Sequence, residues 1–361
     1  MNSALDTQFF FAAFFAAVSC SFVLTFIIRK LAVKLQVIDY PDLPRKIQRS
    51  PVPSLGGLAI YLAFGFVATV SWLSFGPFGK FISPAYLVGI LVGGLILMLG
   101  GYFDDRYRLP PRYSIIAPVL SAIAILLAGV QLSYINHPLG GALFLDTVKV
   151  SGYPVFGGLF VFLWVLGMIY TTKFLDGLDG LASGVSVIAA AVLFFLSRIP
   201  AVNQPDTALL AVIFAGATLG FLPWNFHPAK IFLGEGGSTF LGFMIGTLSV
   251  IAGGKIATAL LVMGVPILDV AWVILRRIAN NFSPFVGDRK HLHYRLLDLG
   301  LSQRQTVLTL YFISAAFGVS GLFLQSAGKL VALFLLLSVM VVLGTFAVLA
   351  YNKKMRNGDP N

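Results

Sequence analysis

Long apolar segments with almost no charge dominate this chain. The first of them, FFFAAFFAAVSCSFVLTFII at residues 9–28, contains no charged side chain. An α-helix rises about 1.5 Å per residue, so about 20 apolar residues are enough to cross the hydrocarbon core of a bilayer. Only 11% of all residues are charged, against about 25% in soluble domains. These features predict an integral membrane protein.

The apolar segments repeat along the whole sequence. We predict an all-α integral membrane protein with about 11 transmembrane helices, forming a single domain over residues 1–361. The stretch 133–153, between the fourth and fifth segments, is rich in β-prone residues and is predicted to form a small hairpin. The predicted segments are 9–28, 55–75, 85–101, 114–132, 156–171, 181–197, 207–222, 239–253, 256–275, 306–326 and 330–351.

The positive charges concentrate in every second loop. With the N-terminus outside the cell, 20 of the 25 lysines and arginines fall in cytoplasmic loops and five fall in outer loops. This is the positive-inside pattern, and it predicts that the C-terminus is cytoplasmic. The first segment is preceded by Asp6 and by no basic residue, which favours an uncleaved helix over a secretory signal. The net charge of +11 is thereby assigned to membrane loops, and we expect no nucleic-acid partner.

Two adjacent acids, Asp104 and Asp105, end the third segment in the stretch GGYFDDRYR. Neighbouring carboxylates repel each other, so a site that contains both usually holds a cation or a proton. The alternative is a pair of loop acids that face Arg106 and Arg108.

A second acidic pair, Asp176 and Asp179, lies in TTKFLDGLDGLASG. If a helix begins there, the spacing of three residues turns both carboxylates the same way. The flanking glycines permit close approach of the backbone to a bulky ligand. The alternative is helix capping by aspartate.

The only glutamate of the chain, Glu235, lies in FLGEGGSTFLG. A glycine-rich turn that leads into a helix N-terminus suits phosphate oxygens, because free backbone N–H groups point at them. The alternative is an ordinary helix start that is capped by Ser238.

The largest cytoplasmic loop contains GDRKHLHYRLLDLGLS, with His291, His293 and Arg295. Two histidines and several bases suit a phosphorylated sugar nucleotide, while the alternative is a basic loop held by anionic lipid. Asp269, about two turns inside the membrane, is costly to bury and is expected to have a structural partner. Together the acidic and histidine motifs predict an enzyme that handles a charged phosphate ligand at the inner membrane surface.

The motifs, in this order, resemble the polyprenyl-phosphate N-acetylhexosamine-1-phosphate transferase family, the MraY/WecA superfamily, on its WecA-like side. The motif-bearing region spans residues 29–310. The matching stretches are RKIQRSPVPSLGGLAIYL, GYFDDR, FLDGLDGLASG, KIFLGEGGSTFLG, PILDVAWVILRR and SPFVGDRKHLHYRLLDLGLS.

The resemblance implies a reaction and a place for it. A UDP-N-acetylhexosamine gives its sugar 1-phosphate to a polyprenyl phosphate such as undecaprenyl phosphate, UMP is released, and the product starts a cell-envelope glycan. The enzyme would be a multi-pass protein of the plasma (inner) membrane with a cytoplasmic active site and Mg²⁺ on the diphosphate. A homodimer is a possible assembly.

The resemblance also implies roles for individual residues. The acidic pairs carry the catalytic role, with the first pair engaging the acceptor phosphate: Asp104, Asp105, Asp176 and Asp179. The substrate-binding positions are Lys46, Lys173, His291, His293 and Arg295. The metal positions are Glu235 and Asp176.

Three positions depart from the family pattern. Lys173 stands where the family usually has Asn, Glu235 where it usually has Asp, and Tyr294 where it usually has a third His. A protonated lysine cannot bind a metal, and its ammonium could occupy the metal's place. The expectation of Mg²⁺ is therefore in doubt, and we expect Lys173 and Glu235 to lie in contact.

Two alternatives to an active transferase remain at this point. A catalytically altered or inactive family member that binds lipid or partners is motivated by Lys173 and Glu235. A transporter would place ionisable residues near the midplane of the membrane, where Asp269 is the one candidate.

Overall fold

The computed structural model describes residues 3–41, 48, 50–75, 83–137, 140–150, 152–253, 255–281 and 291–356. Its helices are α1 (Ser3–Lys34), α2 (Gly56–Phe75), α3 (Pro84–Tyr107), α4 (Pro111–Ser114), α5 (Ile116–Leu127), α6 (Val155–Leu175), α7 (Leu181–Arg198), α8 (Pro205–Asn225), α9 (Gly234–Ile251), α10 (Ile256–Val262), α11 (Gly264–Ala279), α12 (Leu292–Asp298), α13 (Gln303–Phe323) and α14 (Ser326–Arg356). Its strands are β1 (Ile38–Asp39), β2 (Val52–Pro53), β3 (Tyr134–Asn136), β4 (Ala142–Phe144), β5 (Lys149–Val150) and β6 (Tyr153–Pro154).

Eight helices of the described residues are long and apolar enough to cross a membrane, namely α1, α2, α3, α6, α7, α8, α13 and α14. Helices α10 and α11 meet at a bend of 78° and together count as a ninth span if the pair is one crossing. The chain is therefore a mostly helical, multi-pass membrane protein, as the apolar segments predicted.

The two remaining apolar segments of the sequence form a different kind of helix. Segment 114–132 becomes the short apolar helix α5, which follows the single turn α4. Segment 239–253 becomes α9, in which every residue from Gly236 to Val250 is buried. Its glycines, serines and threonines make it less apolar than a lipid-facing helix. Such small residues suit a helix that packs against other helices on all sides.

Helix α9 lies at the centre of the bundle and packs against α2, α3, α6 and α7. Its Phe240 is fully buried and makes edge contacts with Tyr61, Phe64 and Phe214. Lipid tails are as apolar as these side chains, so the helices associate mainly through van der Waals packing. The centre of the bundle is thus a rigid support for whatever α9 carries at its first turn.

Close backbone packing fixes the N-terminal end of α9. A Cβ added to Gly101 of α3 would overlap the backbone nitrogen of Gly236, and one added to Gly57 of α2 would overlap the Cα of Gly237. Only glycines allow helices to cross this closely. The glycine-rich sequence around Glu235 therefore serves helix packing at Gly236 and Gly237, and phosphate binding by this turn stays a prediction.

Short strands complete the fold at both ends of the bundle. The stretch between α5 and α6 contains two antiparallel pairs, β3 with β4 and β5 with β6, which confirms the predicted hairpin structure there. At the other end, β1 pairs with β2, and the Phe232 N–H donates to the Pro53 carbonyl at 2.8 Å. This last contact ties the connection between α1 and α2 to the chain that enters α9.

Candidate active site

An ion pair between two helix ends forms the centre of the site. Lys173 lies in the last turn of α6 and Glu235 in the first turn of α9. Lys173 Nζ lies 2.5 Å from Glu235 Oε1, and it donates to Ser114 Oγ at 3.2 Å. The side chains of Lys173 and Glu235 are only 24% and 15% exposed. The predicted contact between these two positions is confirmed.

Asp105 closes the N-terminus of α9 from a neighbouring helix. The Glu235 backbone N–H donates to Asp105 Oδ2 at 3.0 Å and to Oδ1 at 3.2 Å. Leu233, at the N-cap position, offers no side-chain cap of its own. A carboxylate is favourable at a helix N-terminus, because it accepts a free N–H and balances the helix dipole.

The capping by Asp105 bears on both interpretations of the GEGGS stretch. Ser238 is not the cap, since its Oγ donates to the Glu235 carbonyl at 3.3 Å inside the helix. The N–H of Glu235, which we expected to face a phosphate, is occupied by Asp105. The helix begins at Gly234, five residues earlier than the predicted segment 239–253, so Glu235 belongs to its first turn.

A small pocket lies beside the ion pair, between α3, α5 and α9. Asp104, Ser114, Glu235 and Thr239 supply its polar walls. Asp104 Oδ1 is buried and receives no hydrogen bond from any described residue. A buried carboxylate oxygen without a partner is rare in folded proteins and marks a place for a proton, a cation or a ligand. Arg106 does not face Asp104, because it donates to the Gln36 carbonyl at 3.1 Å.

The second acidic pair lies in a turn between α6 and α7, so the condition of a helix start at Asp176 is not met. Asp176 caps the C-terminus of α6, and α7 begins only at Leu181. Helical spacing therefore does not align Asp176 with Asp179. Burial, together with the charges of Glu235 and Asp179, raises the pKa of Asp176 to about 7. Asp176 thus belongs to the cluster around Glu235 and can hold a proton near neutral pH.

Asp179 faces another part of the chain. Its Oδ2 lies 2.8 Å from His227 Nδ1 and accepts the Ala229 backbone N–H at 3.1 Å. His227 is tied in turn to α13, since Arg304 Nε donates to its carbonyl at 3.0 Å. Asp179 therefore fixes the loop that leads into α9.

A buried carboxylate holds the histidine segment in place. His291 Nδ1 lies 2.9 Å from Asp269 Oδ2, and the Leu292 N–H donates to Asp269 Oδ1 at 2.8 Å. The His291 ring stacks on His293, with ring centres 5.5 Å apart. The prediction of a structural partner for Asp269 is confirmed, and it positions the start of α12.

His293 is 2% exposed and lies against Gly177 of the second acidic motif. Burial lowers its pKa to about 4, with the charge of His291 acting in the same direction and that of Asp269 opposing it. His293 is therefore neutral at pH 7, and it can offer a phosphate a hydrogen bond but not a positive charge. Its Nε2 is buried and has no hydrogen-bond partner among the described residues.

The neighbours of His293 complete this side of the site. The Tyr294 hydroxyl donates to the Gly177 carbonyl at 3.4 Å, which joins α12 to the turn after α6. Arg295 lies in the same helix and is half-buried. Lys46 lies outside the described residues. The structure therefore brings Asp104, Asp105, Lys173, Asp176 and Glu235 into one cluster, while the Asp179 and histidine contacts border it.

Comparison with known proteins agrees with this arrangement. Residues 87–253, which run from α3 through α9, match the family described as glycosyl transferase family 4. The probable undecaprenyl-phosphate N-acetylglucosaminyl 1-phosphate transferase of Bacillus subtilis is 32% identical over 341 residues, covering 93% of this chain and 90% of that protein. The chain belongs to the polyprenyl-phosphate N-acetylhexosamine-1-phosphate transferase family.

Other members of the transferase family are similar over shorter stretches. The decaprenyl-phosphate N-acetylglucosaminephosphotransferase of Mycolicibacterium smegmatis is 33% identical, over 79% of this chain and 74% of that protein. The phospho-N-acetylmuramoyl-pentapeptide-transferase of Streptococcus uberis is 31% identical, over 58% of this chain and 62% of that protein. The B. subtilis relative thus shares nearly the whole chain, including the histidine segment beyond α9.

Two residues of this transferase's site were missed from the sequence. Ser114 lines the pocket and accepts a hydrogen bond from Lys173. Serine is too common for its position after the first acidic motif to stand out. His227 binds Asp179, and a signal was present because it is one of only four histidines and lies in the loop that leads to the GEGGS motif.

The residues around Glu235 do not fit a resident Mg²⁺. The Lys173 ammonium already occupies the space beside Glu235 Oε1, at 2.5 Å from that oxygen. A magnesium ion bound to the same oxygen would have to lie about 2.1 Å from it. A cation at that oxygen would also repel the ammonium. Among the described residues, no three or more His, Cys, Asp or Glu side chains are grouped so that they could hold a metal ion.

Proposed function

We propose that this transferase moves N-acetylhexosamine 1-phosphate, with N-acetylglucosamine as the first candidate sugar, from a UDP-sugar to polyprenyl phosphate and releases UMP. Relatives in B. subtilis and M. smegmatis are named for N-acetylglucosamine and for polyprenyl phosphates, which supports both substrates. The observation that carries the proposal is the convergence of four acids with Lys173 where α3 and α6 end and α9 begins. The product would start a cell-envelope glycan.

The reaction is a phosphoryl transfer. An oxygen of the acceptor phosphate attacks the phosphorus that carries the sugar, and a new P–O bond forms. The bond from that phosphorus to the bridging oxygen breaks, and UMP leaves with this oxygen. Such a reaction needs mainly alignment of the two substrates and neutralisation of their charges.

The cluster supplies both needs. The Lys173 ammonium is paired with Glu235, which lines the pocket, and it can meet a phosphate oxygen beside that carboxylate. Asp104, whose Oδ1 is buried without a partner, can hold the acceptor phosphate through a shared proton. Asp176, with its pKa near 7, can keep or release a proton at neutral pH. His293 and Arg295 border the side on which the uridylyl group of the donor would lie.

We further propose that the site lies on the cytoplasmic face of the plasma membrane, with the N-terminus outside and the C-terminus inside. The polyprenyl phosphate group stays at the bilayer surface, so the site has to lie at helix ends. Helices α3 and α6 both end at the site, so the chain between them has to return to the opposite face, which supports a crossing by α5. Helix α9 starts at the site and leads away from it, which supports a crossing by α9 as well. With the eight clear spans, the bent pair α10–α11 and α5, this supports the full count of 11 crossings.

Purified protein with polyprenyl phosphate and a panel of UDP-sugars tests the proposal. We expect UMP release with one UDP-N-acetylhexosamine and a polyprenyl-diphosphate sugar in the mass spectrum of the lipid product. Asp104→Asn should abolish release while the protein stays folded. If the folded wild-type protein releases no UMP from any UDP-sugar, the proposed function is wrong.

A second candidate is an inactive family member that binds lipid or partners without turnover, and the Lys173–Glu235 pair motivates it. The same assay separates the two, because the second candidate requires wild-type turnover to be absent with every donor. A transporter is less well supported, since Asp269 is already engaged by His291 and Leu292. The homodimer stays a prediction.

A further inference from the structure

We propose that the Lys173 ammonium takes the place of a resident divalent cation at Glu235, so that this protein carries its phosphate-binding positive charge on a side chain. The catalytic part of the inference rests on the proposed function. The cation-binding part does not, because it concerns only the protein's own residues.

The geometry places the ammonium in the centre of the acidic cluster. Lys173 reaches from α6 to Glu235 on α9 at 2.5 Å and to Ser114 at 3.2 Å. An ammonium has three N–H donors, and the hydrogen bond to Ser114 uses one of them. Even if the ion pair with Glu235 engages a second, Lys173 has no third acceptor in the part of the chain that the structure describes, so a donor is left for a phosphate oxygen.

The composition of the cluster also favours an ammonium as its source of positive charge. Four carboxylates, those of Asp104, Asp105, Asp176 and Glu235, lie together, and two substrates with phosphate groups have to enter beside them. Among the described residues, Lys173 is the base that forms an ion pair with one of these acids. A divalent ion bound to Glu235 as well would lie within a few ångströms of the ammonium and be repelled by it.

The lengths of the two side chains suit the replacement of a divalent ion by an ammonium. Lysine has a four-carbon stem that carries its charge across the gap between α6 and α9, and the long arm of Glu235 meets it. A shorter amide at position 173 would leave Glu235 without a cation. Glu235 and its neighbouring acids would then be open to a divalent ion.

Mn²⁺ binding, measured by electron paramagnetic resonance on EDTA-washed protein without nucleotide, tests the inference. We expect little binding to the wild-type protein. The variants Lys173→Asn and Lys173→Asn/Glu235→Asp should bind Mn²⁺ at least about tenfold more tightly, since changes around metal ligands alter affinity by this order. Lys230→Asn, on the exposed loop before α9, is the control and should bind like the wild type.

If wild type and both Lys173 variants bind Mn²⁺ equally, whether well or not at all, the ammonium does not exclude the metal and the inference is wrong. Thermal unfolding shows which variant is folded, and the single variant suffices if the double variant is not. In the UMP assay, wild-type activity should persist in EDTA, and its loss there with recovery in Mg²⁺ would also overturn the inference. Absence of UMP release overturns only the proposed function, because the Mn²⁺ measurement stands without it.

Discussion

Asp269 and His291 form a buried pair at 2.9 Å, although 22 positions of the chain separate them. The pair joins the bent α10–α11 unit to the histidine segment, and the Leu292 N–H adds a second bond to the same carboxylate. The position of His291 and His293 therefore depends on an acid that does not line the pocket.

Asp269→Asn should loosen the histidine segment. The amide keeps the shape of the carboxylate but offers only one acceptor oxygen and no charge, and a hydrogen bond to a charged group is worth about 1.5–3 kcal/mol. We expect a lower thermal unfolding temperature and a raised KM for the UDP-sugar. Asp298→Asn, at the C-terminal end of α12, is the control. Unchanged values in Asp269→Asn would show that the pair does not hold the segment.

Gly101→Ala should separate α3 from α9. The added methyl group would overlap the backbone of Gly236, so the helices have to move apart and Asp104 and Asp105 move with them. We expect loss of UMP release and a lower unfolding temperature. Gly167→Ala in α6 is the matched control, because no atom lies within 4 Å of the Cβ that it adds. That variant should be neutral or slightly stabilised, and equal effects at both glycines would contradict the packing argument.

Asp105 should act on α9 through its acceptor oxygens. Asp105→Ala removes the cap of the Glu235 N–H and should cost about 0.5–2 kcal/mol, the usual cost of a lost N-cap. Asp105→Asn keeps one acceptor and should recover most of this stability. Denaturant or thermal unfolding of the two variants in detergent measures the difference. If Asn is as damaging as Ala, charge and not capping explains the role of Asp105 in stability.

His293 should make the protein sensitive to acid. Its pKa of about 4 in the folded protein lies below the value of about 6.5 expected in the unfolded chain. Between these values the unfolded chain binds more protons, so stability is complete above pH 6.5 and falls as the pH drops toward 4. At pH 5 the loss is on the order of 2 kcal/mol. His293→Gln should remove this part of the difference between the unfolding temperatures at pH 7 and pH 5, and an unchanged difference would contradict it.

The sequence was most informative where charge had to be compensated. Lys173 and Glu235 were predicted to touch because both depart from the family pattern, at positions that the resemblance implies are metal ligands or their neighbours, and they do touch. Asp269 was predicted to have a partner because an unpaired acid is costly inside a membrane, and His291 is that partner.

Glycines were the residues that the sequence left most ambiguous. A glycine next to an acid can serve a ligand, a turn or a close helix crossing, and one sequence does not separate these uses. Gly236 and Gly237 turned out to pack against α3 and α2. The Asp-Gly repeat at Asp176 forms a turn and not a helix start, because α6 continues up to Leu175. Capping of α9 by Asp105 connects residues 130 positions apart, and no local pattern predicts it.

The burial of α9 ties the site to the rest of the bundle. This helix is less apolar than the eight clear spans and is surrounded by α2, α3, α6 and α7. Transfer into lipid alone would therefore stabilise it less than it stabilises those spans. Its position is set mainly by contacts with these four helices, which all precede it in the chain. The place of Glu235 in the site therefore depends on how those earlier helices pack, and a packing defect in any of them would displace the acid.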